Sequence, residues 1–326
     1  MRTRRSRFSG NPVLSGPSEA YAKEGTHRSV LLHEALELLA LSPDDTVVDA
    51  TLGGAGHALA MAKMLGKKGI LVGIDADRDA ILRGKELLAG AKPTVHLVEA
   101  NFRDLSAQLE KLGLPRRGKA GITQVDKILF DLGWSSFQLD AGRGFSLKAD
   151  EPLLMTYSKE PGALTAQKIV NEWAEESIAD VIFGWGEERY SRRIAKCIVE
   201  RRATKPFTTA RELAEAIYGA VPPRYRFGRI HPATRTFQAL RIAVNDELGS
   251  ISQGLADGWR HLAHDGRIAV ITFHSIEDRL VKQTFKQWEE AGEGKRITRK
   301  PVVPTAEETA SNPRARSAKL RVIEKI

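Results

Sequence analysis

Residues 47–62, VVDATLGGAGHALAMA, pass from an apolar stretch through an acid into small residues, then into a helix-like segment. A backbone stripped that bare between a strand and a helix implies that something approaches the main chain closely. Gly53, Gly54, Ala55 and Gly56 leave room for a ligand. The N-terminus of the following helix offers unpaired N–H groups. In open parallel sheets, ligands sit at the carboxyl ends of strands, where strand order reverses. A dinucleotide, a phosphate and a methyl donor are the candidates, and a purely structural turn is the plain alternative.

Outward from this stretch the chain alternates. HRSVLLHEALELLAL (27–41) has helical spacing and stops at Ser42-Pro43. TVVDATL (46–52) reads as a buried strand and HALAMAKML (57–65) as a helix closed by Gly66. GILVGIDAD (69–77) is a second strand, and DAILRGKELLAG (79–90) a helix ending on Gly90. TVHLVEANF (94–102), DLSAQLEKLGL (104–114) and VDKILFDLG (125–133) supply a third strand, a helix and a fourth strand. Such alternation predicts a parallel sheet with crossover helices. From about 141 to 232 the patterns are helical with no convincing strand. Helix returns over 234–263, followed by a fifth strand, GRIAVITF (266–273). SAKLRVIEKI (317–326) alternates like an edge strand. The expected fold is an α/β sheet interrupted after its fourth strand by a helical insertion.

The ligand can be narrowed. A dinucleotide site wants G-x-G-x-x-G, but Gly54-Ala55-Gly56 is followed by His57, Ala58 and Leu59, so the last glycine is missing. No G-x-x-x-x-G-K-[ST] phosphate loop is present either. S-adenosylmethionine has a ribose and no phosphate. Asp75, at the end of the second strand, can accept hydrogen bonds from two ribose hydroxyls. Asp131 ends the fourth strand, where it reads as a helix-cap or turn acid, or as a polar group beside the ligand. The pattern favours the methyl donor and leaves the other readings open.

Composition is that of an ordinary globular protein: 326 residues, 42% hydrophobic and 28% charged. No apolar run approaches the ~20 residues of a membrane helix. MRTRRSRFSG (1–10) is basic with no apolar segment after it, which argues against a secretory signal. Cys197 is the single cysteine; it suits a reducing compartment and rules out an internal disulfide or a cysteine zinc site. The formal charge of +9 favours a polyanionic partner.

Several segments carry a resemblance. HRSVLLHEAL, DATLGGAGH, FDLGWSSFQLD, RGFSL, ERYSRRIA, IHPATRTFQALRIAVNDEL, GRIAVITFHSIEDRLVKQTF and NPRARSAKLRVIEK follow one another across residues 27–325. In this order they resemble the bacterial RsmH/MraW family of 16S ribosomal RNA cytosine-N4 methyltransferases. The resemblance implies a Rossmann-like class I methyltransferase sheet (27–140 and 233–326), with an all-helical substrate-recognition domain inserted at 141–232. Residues 1–26 remain as a basic, disordered arm. It implies S-adenosylmethionine as donor, held by Ala55, Gly56, His57, Asp75, Phe102, Asp131 and Gln138, with Gly54 beside them. It implies small-subunit ribosomal RNA, or the assembling subunit, as partner in the cytoplasm, and no metal. Three positions depart from the family pattern. Ala55 replaces a glycine, which is tolerable at negative φ; Phe137 replaces a proline; and PLLMTY (152–157) replaces P-L-D-M-R-M.

Methyl transfer is an in-line displacement, catalysed mainly by positioning and exclusion of water. Cytosine N4 is a poor nucleophile because its lone pair is delocalised into the ring. An acceptor on its N–H would localise that pair, and Asp131 or a backbone carbonyl is the candidate. His274, after the fifth strand, is a second candidate, with a structural role as its alternative. His57 reads as a donor-site or helix-start residue. RNA contacts are expected from Arg192, Arg193, Lys196, Arg224, Arg226 and Arg229, and from the tails through Arg2, Arg4, Arg5, Lys295, Arg296, Arg314 and Arg316. Trp134 could stack on the base or fill the core. An RNA-binding assembly factor without turnover, or a methyltransferase of protein or small molecules, are the competing functions.

Overall fold

In the computed structural model the described residues are 28–114, 116–117, 122–133, 142–147, 150–157, 162–228 and 230–326. Seven strands form one sheet: β1 (Thr46–Asp49), β2 (Ile70–Asp75), β3 (Thr94–Glu99), β4 (Val125–Asp131), β5 (Leu262–Thr272), β6 (Gly294–Arg296) and β7 (Lys319–Lys325). Their order is β3-β2-β1-β4-β5-β7-β6. β1 to β5 pair in parallel, and β7 runs antiparallel to both β5 and β6. The order reverses between β1 and β4, so the loops after those two strands border the crevice where a ligand is expected.

Successive strand residues face opposite layers, and both layers are apolar, as a doubly covered sheet requires. Val47, Leu71, Leu129 and Ala269 point to one side, beneath α1 (Leu32–Leu39), α2 (Gly56–Met64) and α3 (Arg78–Leu87). Val48, Val72, Ile128 and Ile268 point to the other, beneath α4 (Leu105–Lys111), α11 (Glu247–His261) and α12 (Ser275–Glu290).

The helical insertion has its own core. α5 (Ala166–Glu172), α6 (Glu175–Gly186), α7 (Ser191–Thr204) and α8 (Ala210–Ala220) bury Ile169, Ile182, Ile198 and Ile217 together. The short α9 (Pro223–Arg226) follows, then α10 (Thr234–Asn245). Ala233, Phe237 and Leu240 pack in the same cluster, so that core continues past residue 232. Cys197 packs against it half-buried, its thiol directed at the Ala216 carbonyl.

Two expectations differ from the structure. The helical pattern over 234–263 is two helices, because Asp246 adopts φ 46° between α10 and α11. α10 serves the helical core and α11 the sheet, so the chain must turn between them, and Asp tolerates the left-handed region better than most residues. The final strand is not an edge: β7 lies inside the sheet with Leu320 to Ile323 all buried. Arg321 imitated an exposed position, but it is buried against Asp278 of α12, Nε to Oδ1 at 2.7 Å and Nη2 to Oδ2 at 3.2 Å. The edge belongs to β6, three residues with no apolar period. No helix among the described residues is long and apolar enough to cross a membrane.

Candidate functional site

The loop after β1 is held by β2. Asp75 Oδ2 accepts the Gly53 N–H at 2.8 Å, and Oδ1 accepts the Asp77 N–H at 2.8 Å. Each oxygen keeps a lone pair for a further donor. Gly53 sits at φ 50°, a conformation that suits glycine. A Cβ on Gly56 would overlap the Ser29 hydroxyl, so the segment before α1 packs directly on the loop. Ala55, buried as N-cap of α2, has φ 59°, which overturns the negative φ on which its tolerance was argued. The tight turn requires this conformation whatever the residue, and Ala bears the Cβ strain.

Three carboxylates converge here from the ends of β1, β2 and β4. Asp49 is 1% exposed, and burial, with Asp131 and Asp75 nearby, pushes its carboxyl well above the usual range against the Thr51 N–H. Burial likewise raises Asp75. The Asp131 N–H donates to Thr51 Oγ1 at 2.6 Å, and its Oδ2 lies 3.5 Å from His57 Nδ1. The other ring nitrogen, His57 Nε2, faces the Val30 carbonyl at 3.1 Å. Phe102 opens the 3-10 turn after β3, edge-on to Phe130 with ring centroids 5.8 Å apart.

Asp75, Asp131, His57 and Phe102 line one cleft of ≈ 1010 Å³, with Asp49 buried outside its lining. Gly53, Gly54, Gly56, His57, Asp75, Phe102 and Asp131 border one end; Arg143, Phe145, Thr156 and Tyr157 border the other. Asp77, Asp79 and Glu99 add acids around the first end. Arg28, Arg78 and Arg103 line the cleft as well, so it presents both signs of charge. The residues present fit S-adenosylmethionine: Asp75 keeps lone pairs that would take ribose hydroxyls, the loop is bare, and Asp131 stands by for a cationic group.

The insertion end carries a polar network that sequence reasoning missed. Tyr157 donates through its hydroxyl to Glu247 Oε1 at 2.9 Å and through its N–H to Asn245 Oδ1 at 2.8 Å. Arg241, 6% exposed, holds Glu247 at 2.7 Å and 2.8 Å. Burial, with Glu247 beside it, pushes the Tyr157 phenol well above its usual range. Phe145 stacks on Tyr157 at 5.6 Å and 21°. Tyr157 is a departure from the family pattern, so the altered segment carries its own contacts. Tyr157 and Glu247 lie ninety positions apart, beyond any local pattern.

His274 is placed differently from the catalytic role considered for it. It is the N-cap of α12: Nδ1 accepts the Glu277 N–H at 3.4 Å, and Nε2 lies 2.9 Å from Glu277 Oε1. With both nitrogens engaged in the cap, the ring is committed to the helix start. Glu247, His274 and Glu277 could jointly hold a cation, but the Arg241 guanidinium already supplies positive charge there. Arg192, Arg193 and Arg224 are exposed; Lys196 faces Glu200 at 3.8 Å, and Arg226 binds the Gly219 and Val221 carbonyls. Arg314 lies at the cleft rim, whereas Arg296 is paired with Glu289. Trp134, Gln138, Arg229, Arg2, Arg4 and Arg5 lie outside the described residues.

Comparison with known proteins gives consistent matches. The model of the MraW methylase family matches residues 24–326. A Clostridioides difficile protein named ribosomal RNA small subunit methyltransferase H is 44% identical over 316 residues, covering 92% of this chain and 99% of that protein. A protein of the same name from a Paenibacillus species is 45% identical, with 92% and 99% coverage. Among solved structures, an rRNA methylase from Streptococcus thermophilus is 10% identical with TM-score 0.41, covering 90% of this chain and 93% of that one.

Proposed function

The chain belongs to the MraW methylase family, and from that premise we propose that it methylates the exocyclic N4 amine of a cytidine in the decoding centre of small-subunit ribosomal RNA. The observation that carries this reading is the continuity of one cleft from the Gly53–Asp75 cradle, past Asp131, to the Phe145–Tyr157 stack on the insertion. It offers a donor end, an acceptor carboxylate and a place for an aromatic base in sequence.

S-adenosylmethionine, when bound, supplies a methyl group activated by a sulfonium. The protein positions the rest. Asp75 takes the ribose hydroxyls while keeping Gly53 in place. Asp131 accepts an N–H of the cytosine amine and so localises its lone pair. His57 stands behind Asp131 and fixes its direction. Phe145, Tyr157 and Leu164 wall the insertion end and exclude water. The target base must leave its stack to reach the cleft. Arginines on the insertion hold the phosphates, so binding should weaken steeply with salt. The helical segment 141–232, with α10, is the substrate-recognition part. The cytoplasm and the assembling small subunit are the setting that follows.

Mass spectrometry of ribosomal RNA nucleosides tests this. Cells lacking the gene should lose one N4-methylated cytidine of the small subunit, and the purified protein should restore it with S-adenosylmethionine. Unchanged nucleosides, or methylation of protein instead, would overturn the proposal.

A further inference from the structure

The insertion has a surface that the donor cleft does not use. Residues 216–245 hold no Asp or Glu and five arginines: Arg224, Arg226, Arg229, Arg235 and Arg241. Around α9, aromatic rings and guanidinium groups alternate. Arg226 lies over the Tyr218 ring at 5.2 Å, with Nη2 on the Gly219 carbonyl at 2.9 Å and Nε on Val221 at 3.2 Å. Tyr218 in turn stacks with His231 at 6.0 Å and 26°. On the other side, Arg189 covers Tyr225 at 5.1 Å and Tyr190 at 4.8 Å. Phe227, directly after α9, is 83% exposed, and Ile230 is 43% exposed. The nearby Glu188 is fully buried and accepts from the Tyr225 hydroxyl and the Tyr190 N–H, which holds both rings in place.

A preformed column of arginine and aromatic groups beside an exposed phenylalanine matches what unpaired nucleotides require: a flat apolar face and nearby cations. Arg241 is buried on Glu247 at the cleft end of α10, but Arg224 and Arg226 of α9 and Arg235 stand with no acid within residues 216–245, which favours a polyanion over an ordinary protein surface. α10 runs from this surface to Asn245 in the cleft lining. Its 12 residues span about 18 Å at the usual helical rise. The occupant is thus a nucleotide some way along the strand from the target base.

We infer that the surface around α9 is a stacking site for an unpaired nucleotide flanking the target cytidine, with Phe227 under the base and Arg224 and Arg226 facing its phosphates. This rests on the RNA substrate assigned above. The test uses the full chain with Phe227→Ala and Phe227→Trp, assayed on small-subunit particles, with donor affinity by calorimetry and mass by sedimentation. Phe227→Ala should raise KM for RNA about tenfold, the effect of losing one base stack. Phe227→Trp should restore it, and donor affinity should stay unchanged. An unmoved KM in Phe227→Ala with an active parent overturns the stacking site alone. An oligomer that falls to monomer in Phe227→Ala also overturns it, making the surface a protein interface. A parent chain inactive on every RNA overturns the functional reading and this inference with it.

Discussion

Asp75 accepts the backbone N–H of Gly53 at 2.8 Å, so the acid that ends β2 also fixes the glycine loop that follows β1. The same carboxylate thus shapes the loop and keeps lone pairs for a further donor. Asp75→Ala should weaken S-adenosylmethionine binding by ~10-fold or more, since a charge-assisted pair is worth ~1.5–3 kcal/mol. Calorimetry reads this directly; unchanged affinity would remove Asp75 from the site.

Ala55 offers a test of strain. Its φ of 59° costs an alanine about 1–2 kcal/mol, and replacement by glycine returns that while adding unfolded-chain entropy of about 0.5–1 kcal/mol. Ala55→Gly should therefore stabilise the fold by roughly 0.5–1 kcal/mol in urea unfolding. A destabilised variant would show that the alanine methyl contributes packing that outweighs its strain.

For Asp131, the reaction rate is the informative quantity. Asp131→Asn keeps size and removes the charged acceptor beside His57. Loss of an interaction made in the transition state lowers turnover more than it raises the constant for RNA. A fall of ~10²-fold, about 2.7 kcal/mol, is expected in single-turnover methylation. If saturating donor restores the rate in full, Asp131 only binds the donor.

Asp278 ties α12 to β7 and makes part of the stability depend on pH. Burial pushes its carboxyl up, but Arg321 and Lys319 together outweigh this and hold it below its ordinary 3.8. The folded state therefore binds fewer protons than the unfolded one in this range. The contribution is present above about pH 3.8 and is lost as pH falls through the depressed folded value. Asp278→Asn should cost about 3 kcal/mol at neutral pH, because it leaves Arg321 buried without its carboxylate. Urea unfolding across pH should show the gap to the parent narrowing below about pH 3.8. A gap that stays constant down to pH 3 would assign the loss to packing alone.

Strands β1 to β4, the helices between them and the acids at their carboxyl ends were legible in the chain, because their signals are local. A buried strand needs only a short apolar run, and a close approach only a few bare residues. Asp75 and Asp131 were reached this way, and Asp49 carried the same signal at the end of β1. The inner place of β7 was not legible. Arg321 looks like a solvent residue until Asp278, forty-three positions away, comes beside it. The break at Asp246 depends on α10 and α11 serving different cores, which only the packed chain distinguishes. The left-handed backbone at Ala55 is imposed by the turn it closes and not by the residue that occupies it. The Tyr157–Glu247–Arg241 network joins segments ninety positions apart. Local periodicity reports which face of an element is buried; tertiary packing alone decides which distant charge or ring meets it there.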